Sequence, residues 1–130
     1  MARVLLVDND RTTVSLLKIL LELDGHTVSL CSIVGQVLAE VERQAPDIVL
    51  MDVYLTRGDD GLDLLRLIRA NPATQHLPVV MTSGMELSEE CARAGANGFL
   101  LKPYTPEQLA AIMKQSLDHN RAAPPPAGSP

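Results

Sequence analysis

The 130-residue chain has no tryptophan and only three aromatic residues, Tyr54, Phe99 and Tyr104. So few rings give nucleobases nothing to stack on, which excludes a single-strand binding platform. Positive charge is scarce too: 11 Lys and Arg stand against 16 Asp and Glu, a formal net charge of −5. A basic nucleic-acid interface needs the opposite balance, so none is expected within this chain. The two cysteines, Cys31 and Cys91, form neither a disulfide framework nor a metal-ligand spacing. Both are expected as buried thiols in a reducing compartment. No apolar run approaches the ~18 residues of a membrane span. The apolar stretch within Met1–Val7 is too short for a secretory leader. The expectation is a cytoplasmic protein without membrane contact. What is plentiful is aliphatic: 46 % of residues are hydrophobic and 21 % charged, enough for one packed core.

Four short apolar runs each end in a polar residue. They are Val4–Val7 before Asp8, Ile48–Met51 before Asp52, Val79–Met81 before Thr82, and Phe99–Leu101 before Lys102. Runs of this length, apolar throughout, read as strands covered on both faces of a parallel sheet. Thr27–Cys31 reads as a fifth, more exposed strand. Helical spacing fills the gaps. Thr13–Leu23 ends at Gly25, Gly35–Gln44 ends at Pro46, and Leu62–Ala70 ends before Pro72. Leu87–Ala94 stops at Gly95, and Pro106–Leu117 starts behind Thr105 as N-cap. The order βαβαβαβαβα predicts a parallel sheet with helices on both faces. Residues 1–120 form one domain on this reading. Residues 121–130, with four prolines in the last seven positions, read as a flexible tail or the start of a linker.

In an open parallel α/β sheet, ligands bind beyond the carboxyl ends of the strands. Asp8, Asp52, Thr82 and Lys102 are therefore expected to gather there, with Asn9 and Asp10 beside them. Two carboxylates at close range repel unless a cation lies between them. Lys102 supplies one positive charge and a divalent metal would supply more. Oxygen ligands of this kind suit Mg²⁺, which takes one or two carboxylates and often phosphate oxygens. A carboxylate can also attack phosphorus and form an aspartyl phosphate. Positioning and charge stabilisation are most of what phosphoryl transfer requires.

With these residues in place, the sequence resembles the receiver domain of bacterial two-component response regulators. The resemblance runs from Val4 to about Leu117. It rests on Val7-Asp8-Asn9-Asp10, Met51-Asp52, Met81-Thr82-Ser83-Gly84 and Asn97-Gly98-Phe99-Leu100-Leu101-Lys102-Pro103. It implies a doubly wound (βα)5, flavodoxin-like three-layer sandwich with strand order 2-1-3-4-5. It also implies that Asp52 accepts a phosphoryl group from a sensor histidine kinase or phosphotransfer protein. Mg²⁺ (or Mn²⁺) would be held by Asp8, Asn9, Asp52 and the backbone carbonyl of Tyr54. Thr82 and Lys102 would stabilise the phosphoryl group, and Phe99 would be the aromatic that switches with Thr82. By the same resemblance, the Lys102–Pro103 bond is expected to be cis. The helix from Leu87, the strand from Phe99 and the helix from Pro106 would form an output or homodimer face. The chain would then be a regulatory phosphoacceptor and not an enzyme.

Two departures from the family pattern stand out. Asn9 replaces the second acid of the pair, a neutral ligand in place of an anionic one, which predicts weaker metal binding. Asp10 is a candidate auxiliary acid, although its position fits a helix cap better. The loop after Asp52 lacks the usual proline and is one residue longer; Arg57, Asp59 and Asp60 read there as a solvated loop. Two rival readings remain open. One is a pseudo-receiver that binds partners without being phosphorylated. The other is a phosphohydrolase of the haloacid-dehalogenase type, suggested by Asp8-Asn9-Asp10-Arg11-Thr12. The hydrolase leaves Asp52 idle and puts its acidic fourth motif before the lysine. A flavodoxin-like cofactor site fails because Asp-Asn-Asp after the first strand repels phosphate.

Overall fold

The computed structural model describes residues 2–8, 10–31, 34–55 and 60–122. In chain order these form β1 (Arg3–Val7), α1 (Arg11–Leu23), β2 (Thr27–Cys31), α2 (Val37–Gln44), β3 (Ile48–Asp52), α3 (Gly61–Ala70), β4 (Val79–Ser83), α4 (Ser88–Ala94), β5 (Gly98–Leu101) and α5 (Pro106–Ala122). The strands make one parallel five-stranded sheet of order β2-β1-β3-β4-β5. The doubly wound sandwich expected from the sequence is therefore the observed fold.

Continuous apolar runs are what this sheet needs, because successive side chains point to opposite faces and both faces are covered. Leu5, Val7, Val49, Met51, Val79 and Met81 turn to one core, where Val37 and Val41 of α2, Leu64, Leu65 and Ile68 of α3 and Cys91 of α4 meet them. The alternate residues Val4, Leu6, Ile48, Leu50 and Val80 turn to the other, against Leu17 and Leu21 of α1 and Leu109, Met113 and Leu117 of α5. Each such fully buried aliphatic side chain contributes about 1.5–3 kcal/mol. The edge strand β2 is less covered, as its mixed sequence predicts.

Several helix ends differ from the sequence expectation, each for a local reason. α1 starts at Arg11 because the Asp10 carboxylate caps it, accepting from the Thr12 and Thr13 amides. A 3₁₀ turn at Val34–Gln36 precedes α2, which therefore begins at Val37 and not at Gly35. α3 begins at Gly61, where Asp60 caps it by accepting from the Leu62 amide. α4 begins at Ser88, with the Glu86 carboxylate accepting from the Ser88 amide. α5 runs to Ala122, past Leu117 and two residues into the expected tail, because no breaker stands before Pro124. Residues 123–130 lie outside the described residues. The strands β3 and β4 reach further than their apolar runs, so Asp52 closes β3 and Thr82 lies within β4.

At the amino-terminal edge of β4 and β5, the Arg69 guanidinium ties three segments together. It donates to the carbonyl oxygens of Gly95 (2.9 Å), Leu77 (2.7 Å) and Gln75 (3.2 Å) and to Asn97 Oδ1 (2.7 Å). Asn97 Oδ1 accepts in turn from the Val79 amide at 2.8 Å. This edge is closed by fixed contacts, while the opposite edge carries the ionisable strand ends.

α2 ends at Ala45, whose backbone (φ 49°, ψ 57°) is left-handed. Pro46 disfavours a helical residue before it, and Ala45 takes this conformation at a cost of about 1–2 kcal/mol. Ala45→Gly removes that cost and loses about 0.4–1 kcal/mol through the freer unfolded chain. A net gain of about 0.5–1 kcal/mol in urea unfolding is expected; an unchanged or lower midpoint would show that the turn is not strained.

Candidate functional site

The carboxyl ends of β1, β3, β4 and β5 bring the predicted residues together. Asp8 follows β1 directly, Asp52 is the last residue of β3, and Lys102 follows β5. Lys102 Nζ lies 2.8 Å from Asp52 Oδ2 and 3.8 Å from Asp8 Oδ2. The other oxygens are held by the chain itself. Asp52 Oδ1 accepts from the Tyr54 amide at 3.1 Å, and Asp8 Oδ1 accepts from the Asp10 amide at 3.0 Å. Thr82 is the strand-register partner of Asp52 and is buried, and its carbonyl accepts from the Val53 amide at 2.9 Å. The Lys102 amide bonds to the Ser83 carbonyl at 2.8 Å, which fixes where the lysine leaves the sheet. The Lys102–Pro103 peptide is cis.

One ammonium therefore faces two carboxylates, leaving a net negative charge in a partly buried site. Burial is the main cause that lifts the Asp8 carboxyl above its ordinary range, and the nearby Asp52 charge adds to it; the Asp10 amide and Lys102 act the other way. The Tyr104 phenol is pushed up to about 12, chiefly by burial and then by the charges of Asp8 and Asp52.

Phe99 pairs in register with Met81, the residue before Thr82, and is half-buried against the core of α2, α3 and α4. It also lines a cavity of about 300 Å³ with Leu101, Tyr104, Gln108 and Ile112 of the β5–α5 region. Asp10 caps α1 and is drawn to Thr13, which lowers its pKa; this is the role its position suggested. Asn9, Arg57 and Asp59 lie outside the described residues. Asp60 is no solvated loop residue: besides capping α3 it pairs with Tyr54 in an antiparallel bridge. The signal was in the sequence, an Asp-Gly just ahead of a helical pattern. Tyr104 was also missed as a neighbour of the acids, although it follows the lysine by only two positions.

The family model of the response regulator receiver domain matches residues 4–114. The chain belongs to that family, the receiver domains of two-component systems. DNA-binding response regulator MtrA of Mycobacterium tuberculosis (strain ATCC 25618 / H37Rv) is 30 % identical over 125 residues, 94 % of this chain and 53 % of that protein. Transcriptional regulatory protein ZraR of Escherichia coli (strain K12) is 33 % identical over 120 residues, 92 % of this chain and 27 % of that protein. The chain thus spans about half the length of the first and about a quarter of the second. Among solved structures, the receiver domain of sensor histidine kinase PA1611 from Pseudomonas aeruginosa PAO1 superposes with a TM-score of 0.80 at 28 % identity, covering 90 % of this chain and 98 % of that one. That structure has a magnesium ion coordinated in its active site cleft. The receiver domain of NtrX from Brucella abortus also gives a TM-score of 0.80 at 28 % identity, covering 88 % of this chain and 98 % of that one.

A raised Asp8 pKa makes folding favour the protonated carboxyl. Its stabilising contribution is present below the ordinary aspartate value near 4 and is lost as pH rises through the folded value. Asp8→Asn removes this loss. In metal-free urea titrations between about pH 4 and 7, the variant should gain stability relative to the parent as pH rises. A pH-independent difference would show that Asp8 is not strained by its surroundings.

Proposed function

We propose that this receiver domain is a phosphorylation-controlled switch in which Asp52 is the phosphoacceptor. The observation that carries the reading is the Asp52 carboxylate at the sheet edge, gripped by Lys102 at 2.8 Å with a second carboxylate beside it. The donor is a phosphohistidine of a sensor histidine kinase or phosphotransfer protein. An Asp52 carboxylate oxygen attacks phosphorus, an O–P bond forms, and the P–N bond to the imidazole breaks with its electron pair left on nitrogen. Lys102 then pairs with a phosphoryl oxygen, and the Thr82 hydroxyl donates to another. Leu16 of α1, exposed, lines a cavity with Lys102 and Tyr104 beside the site and offers a partner an apolar contact for docking.

The residues fit a divalent cation. Asp8 and Asp52 share a single ammonium, and burial, with the Asp52 charge beside it, makes the Asp8 carboxyl resist ionisation, which a further positive charge would offset. That suits Mg²⁺ (or Mn²⁺), which takes one or two carboxylates and completes its shell with carbonyl, water and phosphate oxygens. Asp8 and Asp52 would hold it, with Asn9 and the Tyr54 carbonyl as further ligands. When bound, the cation offsets the charge of the phosphoryl group and the acids around it.

Phosphorylation adds charge beside Thr82, and Thr82 and Phe99 then change position together. The face of α4, β5 and α5 carries the change to an effector or a second copy. Among the described residues no helix is long and apolar enough to cross a membrane. The domain works in the cytoplasm, as a regulatory element without turnover of its own beyond phosphorylation from small donors and self-dephosphorylation.

Incubation with acetyl phosphate and Mg²⁺, read by intact mass, tests the reading. One phosphoryl adduct is expected on the parent and none on Asp52→Asn. No adduct on the parent would favour the pseudo-receiver, which the neutral Asn9 also suits. Asn9→Asp should tighten Mg²⁺ binding about tenfold in calorimetry by adding a charged ligand; equal or weaker affinity would remove Asn9 from the metal site.

A further inference from the structure

Gly61 opens α3 where the chain returns from the loop that follows Asp52. Its amide donates to the Val53 carbonyl at 2.6 Å, and the preceding residue, Asp60, bridges to Tyr54. The loop is thus closed at its base, against the strand that carries the acceptor. The backbone of Gly61 is not in the left-handed region; among the described glycines, Gly25 and Gly95 are. Conformational freedom is not what this position requires. Space is: a Cβ built on Gly61 would overlap the Asp52 carbonyl oxygen and lie 3.1 Å from both the Asp52 carbonyl carbon and Met81 Cε. Gly84, on the loop after β4, has nothing within 4 Å of such a Cβ.

We propose that Gly61 is a positioning residue for the phosphoacceptor: its bare Cα packs on the Asp52 peptide and sets where the carboxylate stands. This rests on Asp52 being the acceptor. The Asp52 carboxylate is held by two bonds, to the Tyr54 amide at 3.1 Å and to Lys102 Nζ at 2.8 Å. Hydrogen bonds keep their strength over only a few tenths of an ångström. A methyl at position 61 must push the Asp52 peptide, because the atom it meets first is backbone and cannot rotate away. Displacement of a reacting group by ~1 Å can cost on the order of 100-fold in rate.

The test compares Gly61→Ala with Gly84→Ala and Asp60→Ala in the whole chain. Well below each melting temperature, Gly61→Ala should slow acetyl phosphate-driven modification of Asp52 by about 10- to 100-fold. Gly84→Ala should match the parent. Asp60→Ala loses the cap of α3 and should melt earlier, yet keep the parental rate, because the close approach remains. Parental rate in Gly61→Ala, or slowing of about 10-fold or more in Asp60→Ala, would overturn the proposal; the second result decides even if Gly61→Ala does not fold. Amide shifts of Val53 and Tyr54, recorded without phosphodonor, separate this proposal from the reading beneath it. They should move in Gly61→Ala and not in Gly84→Ala, whether or not the parent is phosphorylated. Unmoved shifts in a folded Gly61→Ala would also overturn it.

Discussion

A single ammonium facing two carboxylates is the constraint around which this edge of the sheet is arranged. Lys102 satisfies Asp52 at 2.8 Å and reaches Asp8 only at 3.8 Å. The charge is left unbalanced by one unit in a place too buried for water to screen it fully. Such a site gains from a further cation and then from an anion that the cations can grip. The backbone supports it at fixed points: the Tyr54 and Asp10 amides each hold one acid, and the Ser83 carbonyl anchors the lysine. The apolar interior does the rest, since strands covered on both faces cannot slide without turning their side chains to the wrong side.

Much of this was legible in the sequence, because the signals were local and redundant. Each strand that brings a residue to this edge announced itself as an apolar run ending in a polar side chain, and parallel alternation fixed which end those residues share. The gathering of Asp8, Asp52, Thr82 and Lys102 at one edge was read in that way. What stayed hidden depends on contacts between segments distant in sequence. Whether Lys102 would favour one acid over the other could not be read from spacing. Nor could the bridge between Tyr54 and Asp60, which turns an apparently solvated acid into the base of a loop. The nearness of Tyr104 to the acids was equally invisible to periodicity.

Boundaries were the weaker part of the reading, for reasons the individual residues explain. Asp10 and Asp60 are caps, so the helices behind them begin earlier than their apolar stripes suggest. α5 outlasts its apolar stripe because no proline stands between that stripe and Pro124 to stop it. Asp52 and Thr82 lie within strands, where the ladder fixes their backbones and leaves the side chains to respond to charge.

The Arg69 clamp gives the two edges of the sheet opposite characters. Every partner of that guanidinium is a carbonyl or amide oxygen, and none of them exchanges protons in the biological range. Arginine itself keeps its charge even where burial disfavours it. Under β4 and β5 the floor of the domain is therefore indifferent to acidity, while the roof above them is made of groups that answer to it. A change of charge at the roof of β4 and β5 thus leaves the contacts that fix their other ends intact.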